Sequence, residues 1–256
     1  MQNLKPIVKV SIKDLKSTID SIFMFFEDDQ IINMIHAQKV AKDFNLNIDF
    51  LKTMSIKKRY NYIEEKITPL YNKKINELAN VVKTYQNFWN ENQTKIHNTF
   101  KDIFELEYVG ERICNCYVSI NSVCPRYYED WSFDNSYTKS KELFMDNTVH
   151  ELIHFFWFDL WKIVFPNYSK NDFSAPSLGW AISELVIDAI AKCTDLKNYT
   201  REKSAYGYFY EIEYKNKNLM DIMKEMFFDS KDIKEFMKNT FDFLIKNPEL
   251  QKLIIR

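Results

Sequence analysis

The sequence predicts an α+β fold that is mostly helical, with one small sheet. Long stretches place apolar residues at steps of three and four, the repeat of a helix lying against a core. Only two stretches, residues 5–12 and 104–120, carry the alternation and β-branched content of strands.

In chain order, KPIVKVSI at 5–12 reads as a strand, and 13–27 and 31–43 as short amphipathic helices. The run 47–56 fits no single pattern, and Lys57-Lys58-Arg59 reads as a solvated helix face. A long helix is expected from Thr68 as N-cap and Pro69 at the first helical position. Its apolar face is Ile75, Leu78, Val82, Tyr85, Trp89, Ile96, Phe100 and Ile103, with a gap near Asn92. In 104–120, β-rich runs flank Val109-Gly110-Glu111-Arg112, which suggests a hairpin. Residues 121–138 read as an aromatic, polar loop. A helix is expected from about Ser140, stopping before Pro166, and another from Pro176-Ser177 to about Cys193. Two or three amphipathic helices follow, one capped by Ser230 and ended by Asn247-Pro248. Neither an internal repeat nor a low-complexity linker divides the chain. The organisation expected is an N-terminal helical region at 1–104, ahead of a functional domain at 105–256.

Composition excludes several classes of function. The chain has 35 basic and 36 acidic residues, for a net charge of −1, so nothing in the balance asks for nucleic acid or an anionic membrane. Three glycines in 256 residues leave no P-loop or dinucleotide-binding fingerprint, and no G-x-S-x-G elbow occurs. The N-terminus lacks the apolar core of a signal peptide, and no run of about 18 apolar residues suggests a membrane span. The four cysteines (Cys114, Cys116, Cys124 and Cys193) are wrongly spaced for a zinc ribbon and read as ordinary thiols of a reduced, cytoplasmic chain.

The chemistry concentrates in TVHELIHFFWFDLW, residues 148–161, which holds two of the chain's four histidines. His150 and His154 are four apart and share a helix face, so both rings can reach one metal ion. Glu151 sits about 100° round the helix, placed to act on a water beside that ion. The competing reading is a core helix with two satisfied histidines. That reading is costly, because the helix is apolar almost all round and buried polar groups need strong partners.

A catalytic zinc site takes a third protein ligand. No histidine follows His154, and the extended pattern H-E-x-x-H-x-x-G-x-x-H fails at Trp157 and Leu160. The best candidate lies in LGWAISELVIDAIAKC, residues 178–193. There Glu184 and Asp188 share a face of an otherwise apolar helix, with Ala181 and Ala191 permitting close approach. Glu184 would be the ligand, and Asp188 could accept the free ring N–H of a ligating histidine.

His150-Glu151-x-x-His154 followed by Glu184-x-x-x-Asp188 resembles the gluzincins, the thermolysin-like zinc metallopeptidases, over about residues 105–195. The resemblance implies a zincin-like fold in which the strand 113–120 is the sheet's edge strand, lying over the cleft. It also implies a Glu184 helix antiparallel to the histidine helix, Asp188 holding His150, and Zn2+ as cofactor. The spacer between His154 and Glu184 is longer than in thermolysin, and no downstream histidine is present to stabilise an oxyanion. Tyr199, Tyr206, Tyr208, Tyr210 and Tyr214 are available for that role, with Tyr206 and Tyr208 put forward. The loop 121–138, with Tyr127, Tyr128, Trp131 and Phe133, would border the site. The expected function is therefore hydrolysis of a peptide or protein substrate by a zinc-activated water, with Glu151 as general base. The alternative is a regulatory or non-catalytic zinc-binding interaction protein.

Overall fold

The computed structural model describes residues 6–105 and 112–255. They are mostly helical, with a small mixed sheet and a two-stranded ribbon. The chain forms two compact units that interleave along the sequence rather than parting at residue 104. One takes the described residues of Met1–Pro6, Glu91–Arg112 and Met145–Arg256, and the other Ile7–Asn90 and Ile113–Phe144. The first holds the histidine helix and the second the sheet.

The sheet orders its strands β1 (Pro6–Ile12), β2 (Arg112–Ser119), β4 (Ser132–Ser136), β3 (Arg126–Tyr127). Strand β4 runs parallel to β2, with Asn115 opposite Ser132 and Ser119 opposite Ser136, and antiparallel to β3. The strand 113–120 is therefore interior, with a neighbour on each side. The edges are β1 and β3, which corrects the expected edge strand. The expected loop 121–138 contains β3 and β4, and all five residues of β4 are buried. Four of them, Ser132, Asp134, Asn135 and Ser136, are polar. Asp134 is met by Lys13, whose Nζ lies 2.7 Å from both carboxylate oxygens and 3.0 Å from the Tyr127 hydroxyl. On β2, Cys114 and Cys116 point inward and are fully buried. The proposed turn at Val109-Gly110-Glu111 and most of the run before it lie outside the described residues.

Helix α1 (Leu15–Phe23) is capped by Asp14, which accepts from Ser17 N. It is followed by α2 (Ile35–Asp43) and α3 (Ile48–Lys52). Arg59 is buried rather than solvated: its guanidinium donates to the carbonyls of Leu51 and Phe26 and to Asp29. It belongs to α4 (Ile56–Phe104), which begins thirteen residues before Pro69 and carries that proline inside it. Proline removes one ladder bond, but Ile63, Ile67, Tyr71, Leu78, Tyr85, Trp89, Ile96, Phe100 and Phe104 are buried along one stripe. Burial of that stripe outweighs a single lost bond. Ile75 falls outside it and is exposed.

In the unit that holds the histidines, α5 (Lys141–Val164) is followed by α6 (Leu178–Leu185), α7 (Ile187–Lys192), α8 (Leu219–Asp229), α9 (Ile233–Ile245) and α10 (Pro248–Ile254). Asp232, not Ser230, caps α9, its carboxylate accepting from Glu235 N, while Ser230 ends α8. The ribbon β5 (Glu213–Tyr214) and β6 (Lys217–Asn218) turns through Lys215-Asn216, both at positive φ as a tight hairpin requires.

Candidate metal centre

Helix α5 starts at Ser140, whose hydroxyl accepts from Leu143 N at 3.2 Å. Val149, Leu152, Ile153, Phe155, Trp157, Phe158 and Leu160 are fully buried, so the helix is enclosed nearly all round. His154 lies inside that apolar jacket with its ring 5.9 Å from the Phe158 ring and stacked on it. His150 keeps part of its side chain open to solvent.

Helix α6 is capped by Ser177, which accepts from Trp180 N at 3.0 Å. Gly179 lets the helix start close against Asp172: a Cβ there would come within 2.6 Å of the Asp172 carbonyl oxygen. Glu184 is buried on this helix and points at both histidines. Its Oε1 lies 3.2 Å from His154 Nε2 and its Oε2 lies 3.6 Å from His150 Nε2, and the two ring nitrogens are 3.1 Å apart. One donor atom from each residue can thus be chosen so that all three lie within 4.8 Å of one another.

These distances test the fit to a metal ion. Ligand atoms at about 2.0–2.1 Å around a tetrahedral ion stand about 3.3 Å from each other. The nearest-atom separations here bracket that value, with each histidine nearest to a different oxygen of the Glu184 carboxylate. Burial opposes ionisation of Glu184, but the facing histidines more than offset it and hold the carboxyl well below the usual carboxylate range. Two imidazole nitrogens and one carboxylate can hold a metal ion.

The other expected residues are placed as follows. Glu151 is buried on α5, next to His150. Asp188 is also buried, but its hydrogen bonds go elsewhere than to His150. Oδ1 accepts from Ser204 N at 3.0 Å, and Oδ2 accepts from the Tyr210 hydroxyl. Val186, with ψ −9°, interrupts the helix between Glu184 and Asp188, so the two carboxylates leave from separate helices, α6 and α7. Tyr208 donates its hydroxyl to the Ile254 carbonyl at 2.9 Å, which removes that proton from any oxyanion. Tyr206 is partly exposed and packs on Trp180 of α6, with ring centres 5.9 Å apart. Asp159 pairs with Arg112 at 2.7 Å and takes no place in the ligand group.

Three residues beside the site, Asp146, Arg201 and Ser204, have no place in the sequence-based expectation. Asp146, one turn before His150, accepts from Arg201 N and Nε at 2.8 and 2.6 Å and from the Ser204 hydroxyl at 3.1 Å. Its helical spacing from His150 was a usable signal. Ser204 and Arg201 carried none, since they lie on an irregular segment, while Tyr210, one of the candidate tyrosines, donates to Asp188 instead. The pairing order, 146 beside 188 and 150 and 154 beside 184, runs α5 and the α6–α7 pair in opposite directions. Among the described residues no cysteine joins a ligand group.

Comparison with known proteins finds no matching family model, no matching curated protein and no matching solved structure.

Proposed function

We propose that the protein is a zinc-dependent metallopeptidase. The observation that carries this reading is the convergence of His150, His154 and Glu184, one ligand atom from each lying within 4.8 Å of the others. Those three would hold the ion, and two nitrogens with one carboxylate favour zinc among divalent cations. When bound, zinc supplies Lewis acidity, polarising a carbonyl and lowering the pKa of water.

The remaining chemistry belongs to side chains of this chain. Glu151, the residue after the first ligand, accepts a proton from the attacking water and returns it to the leaving amine. Enclosure of His154 and Glu184 keeps bulk water from competing for the ligand atoms and strengthens every charge interaction among them. A tyrosine hydroxyl would steady the developing oxyanion, with Tyr206 and Tyr208 the candidates put forward and the Tyr208 hydroxyl donated to the Ile254 carbonyl. The substrate class is a peptide or protein.

Metal content of the purified protein and cleavage of a peptide library test this reading together. We expect about one zinc per chain, cleavage by the wild type, and no cleavage by Glu151→Gln at unchanged zinc content. A zinc-loaded wild type that left the library intact would instead make the protein a zinc-binding interaction or regulatory module.

A further inference from the structure

Ser204 is tied to the histidine helix α5 and to α7, the helix that follows directly on the Glu184 helix α6. Its backbone N–H donates to Asp188 on α7, and its hydroxyl donates to Asp146 on α5. Asp146 stands one turn before His150. Asp188 stands one turn beyond Glu184. Because α5 and α6–α7 run in opposite directions, Asp146 and Asp188 make a layer stacked directly on the layer of metal ligands.

That layer would not hold without donors. All three of its residues, Asp146, Asp188 and Ser204, are buried. Two carboxylates on facing helices repel, and buried lone pairs left unmet are costly. Five donors meet them: Arg201 N and Nε and the Ser204 hydroxyl on Asp146, and Ser204 N and the Tyr210 hydroxyl on Asp188. Among the described residues only Ser204 hydrogen-bonds to both carboxylates, and the Lys192 charge acts on both as well.

We propose that Ser204 is a positioning residue for the metal centre, a one-residue clip that sets the spacing between α5 and α6–α7. It thereby fixes the distance of His150 and His154 from Glu184. The inference rests on the metal-centre reading above. Its physical basis is that ligand atoms of His150, His154 and Glu184 already converge within 4.8 Å of one another, and the hydrogen bonds of Ser204 tie the histidine helix to α7, which follows directly on the Glu184 helix. Opening the clip lets the helices part, and Glu184 moves away from the imidazoles.

The test is metal affinity and geometry in Ser204→Ala, which keeps the N–H bond to Asp188 and removes the hydroxyl that faces Asp146 at 3.1 Å and the Arg201 carbonyl at 3.3 Å. Affinity for Zn2+ is measured by competition with a chelating dye. Geometry is read from the visible absorption of the protein loaded with Co2+. We expect affinity to fall about 10–100-fold, the range for partners that orient ligands, with changed Co2+ bands. Ser204→Thr, which restores the hydroxyl, should regain most of the affinity. The unfolding midpoint of the metal-free variant is measured alongside. A lowered midpoint with wild-type affinity and an unchanged Co2+ spectrum overturns the proposal, since it shows a structural role only. If Ser204→Ala does not fold, Asp146→Asn, which replaces one acceptor oxygen by a donor at equal volume, is put to the same test with the same expected loss. A wild type that binds neither ion overturns the metal-centre reading itself, and this inference with it.

Discussion

Glu184 Oε1 faces His154 Nε2 across 3.2 Å, with the histidine side chain wholly enclosed and the carboxylate nearly so. Opposite charge and donor chemistry meet there in a place where water cannot substitute for either partner. Glu184→Gln keeps the volume and removes the negative charge. We expect Zn2+ affinity to fall at least about 100-fold, measured by dye competition. Wild-type affinity in this variant would remove Glu184 from the ligand set.

Glu151→Gln separates holding a metal from using it. The amide keeps the shape of the side chain but cannot accept the proton. Zinc content should stay at the wild-type level, while kcat on a cleavable peptide falls by about 100-fold or more, the scale of general-base contributions. Retained cleavage would sink the assigned role.

Gly179→Ala probes the approach that lets α6 begin where it does. The added Cβ would lie 2.6 Å from the Asp172 carbonyl oxygen, a backbone atom that cannot swing aside. Overpacking of this kind costs about 1–3 kcal/mol. Denaturant unfolding should show that loss, and a neutral result would mean that the loop carrying Asp172 yields freely.

The Lys13–Asp134 pair sets a pH dependence. Burial raises the Asp134 carboxyl to about 6, with Lys13 pulling it back only in part. A carboxyl raised in the folded state favours folding most when protonated. Its contribution is full below the unfolded value near 4 and is lost as pH rises through about 6. Stability measured from pH 4 to 7 should therefore carry a falling component that is absent in Asp134→Asn. At pH 7, Asp134→Ala leaves Lys13 buried without its partner and should cost about 3–5 kcal/mol. Joint replacement by Lys13→Met and Asp134→Leu should restore most of that loss.

Pro69 sits exposed inside α4, where it supplies no packing and removes a ladder bond. Pro69→Ala should stabilise the protein by about 1–3 kcal/mol, a gain set by proline's helix penalty less whatever accommodation the helix has already made. An unchanged or lower unfolding midpoint would count against that account.

How much of this was legible beforehand depends on how local each cause is. His150, Glu151 and His154 could be read because one helical turn brings them together. Glu184 could be read because an acid on an apolar helix needs a reason. Both arguments use only neighbours in sequence. The start of α4 was misplaced because Thr68-Pro69 satisfies a local rule for helix starts, while the buried stripe from Ile63 onward obeys a stronger tertiary one. The position of 113–120 inside the sheet was misread because strand order depends on which distant segments pair, here β1 and β4. Arg59 was misread for a similar reason, since its partners Phe26 and Asp29 lie about thirty residues away. Ser204 had no signature at all. Its meaning comes only from two carboxylates that the fold brings to it.

The interleaving of the two units also sets a timetable for synthesis. The unit with the sheet draws on nothing beyond Phe144, so a ribosome has delivered all of it before Met145 is added. The other unit holds Glu91–Arg112 in readiness and waits for the rest of the polypeptide, Met145 onward. Its share of α4, with Ile96, Phe100 and Phe104, emerges long before Phe156, whose ring finally stacks on Phe100. During that interval a greasy helix end is exposed and a nascent chain is vulnerable to aggregation.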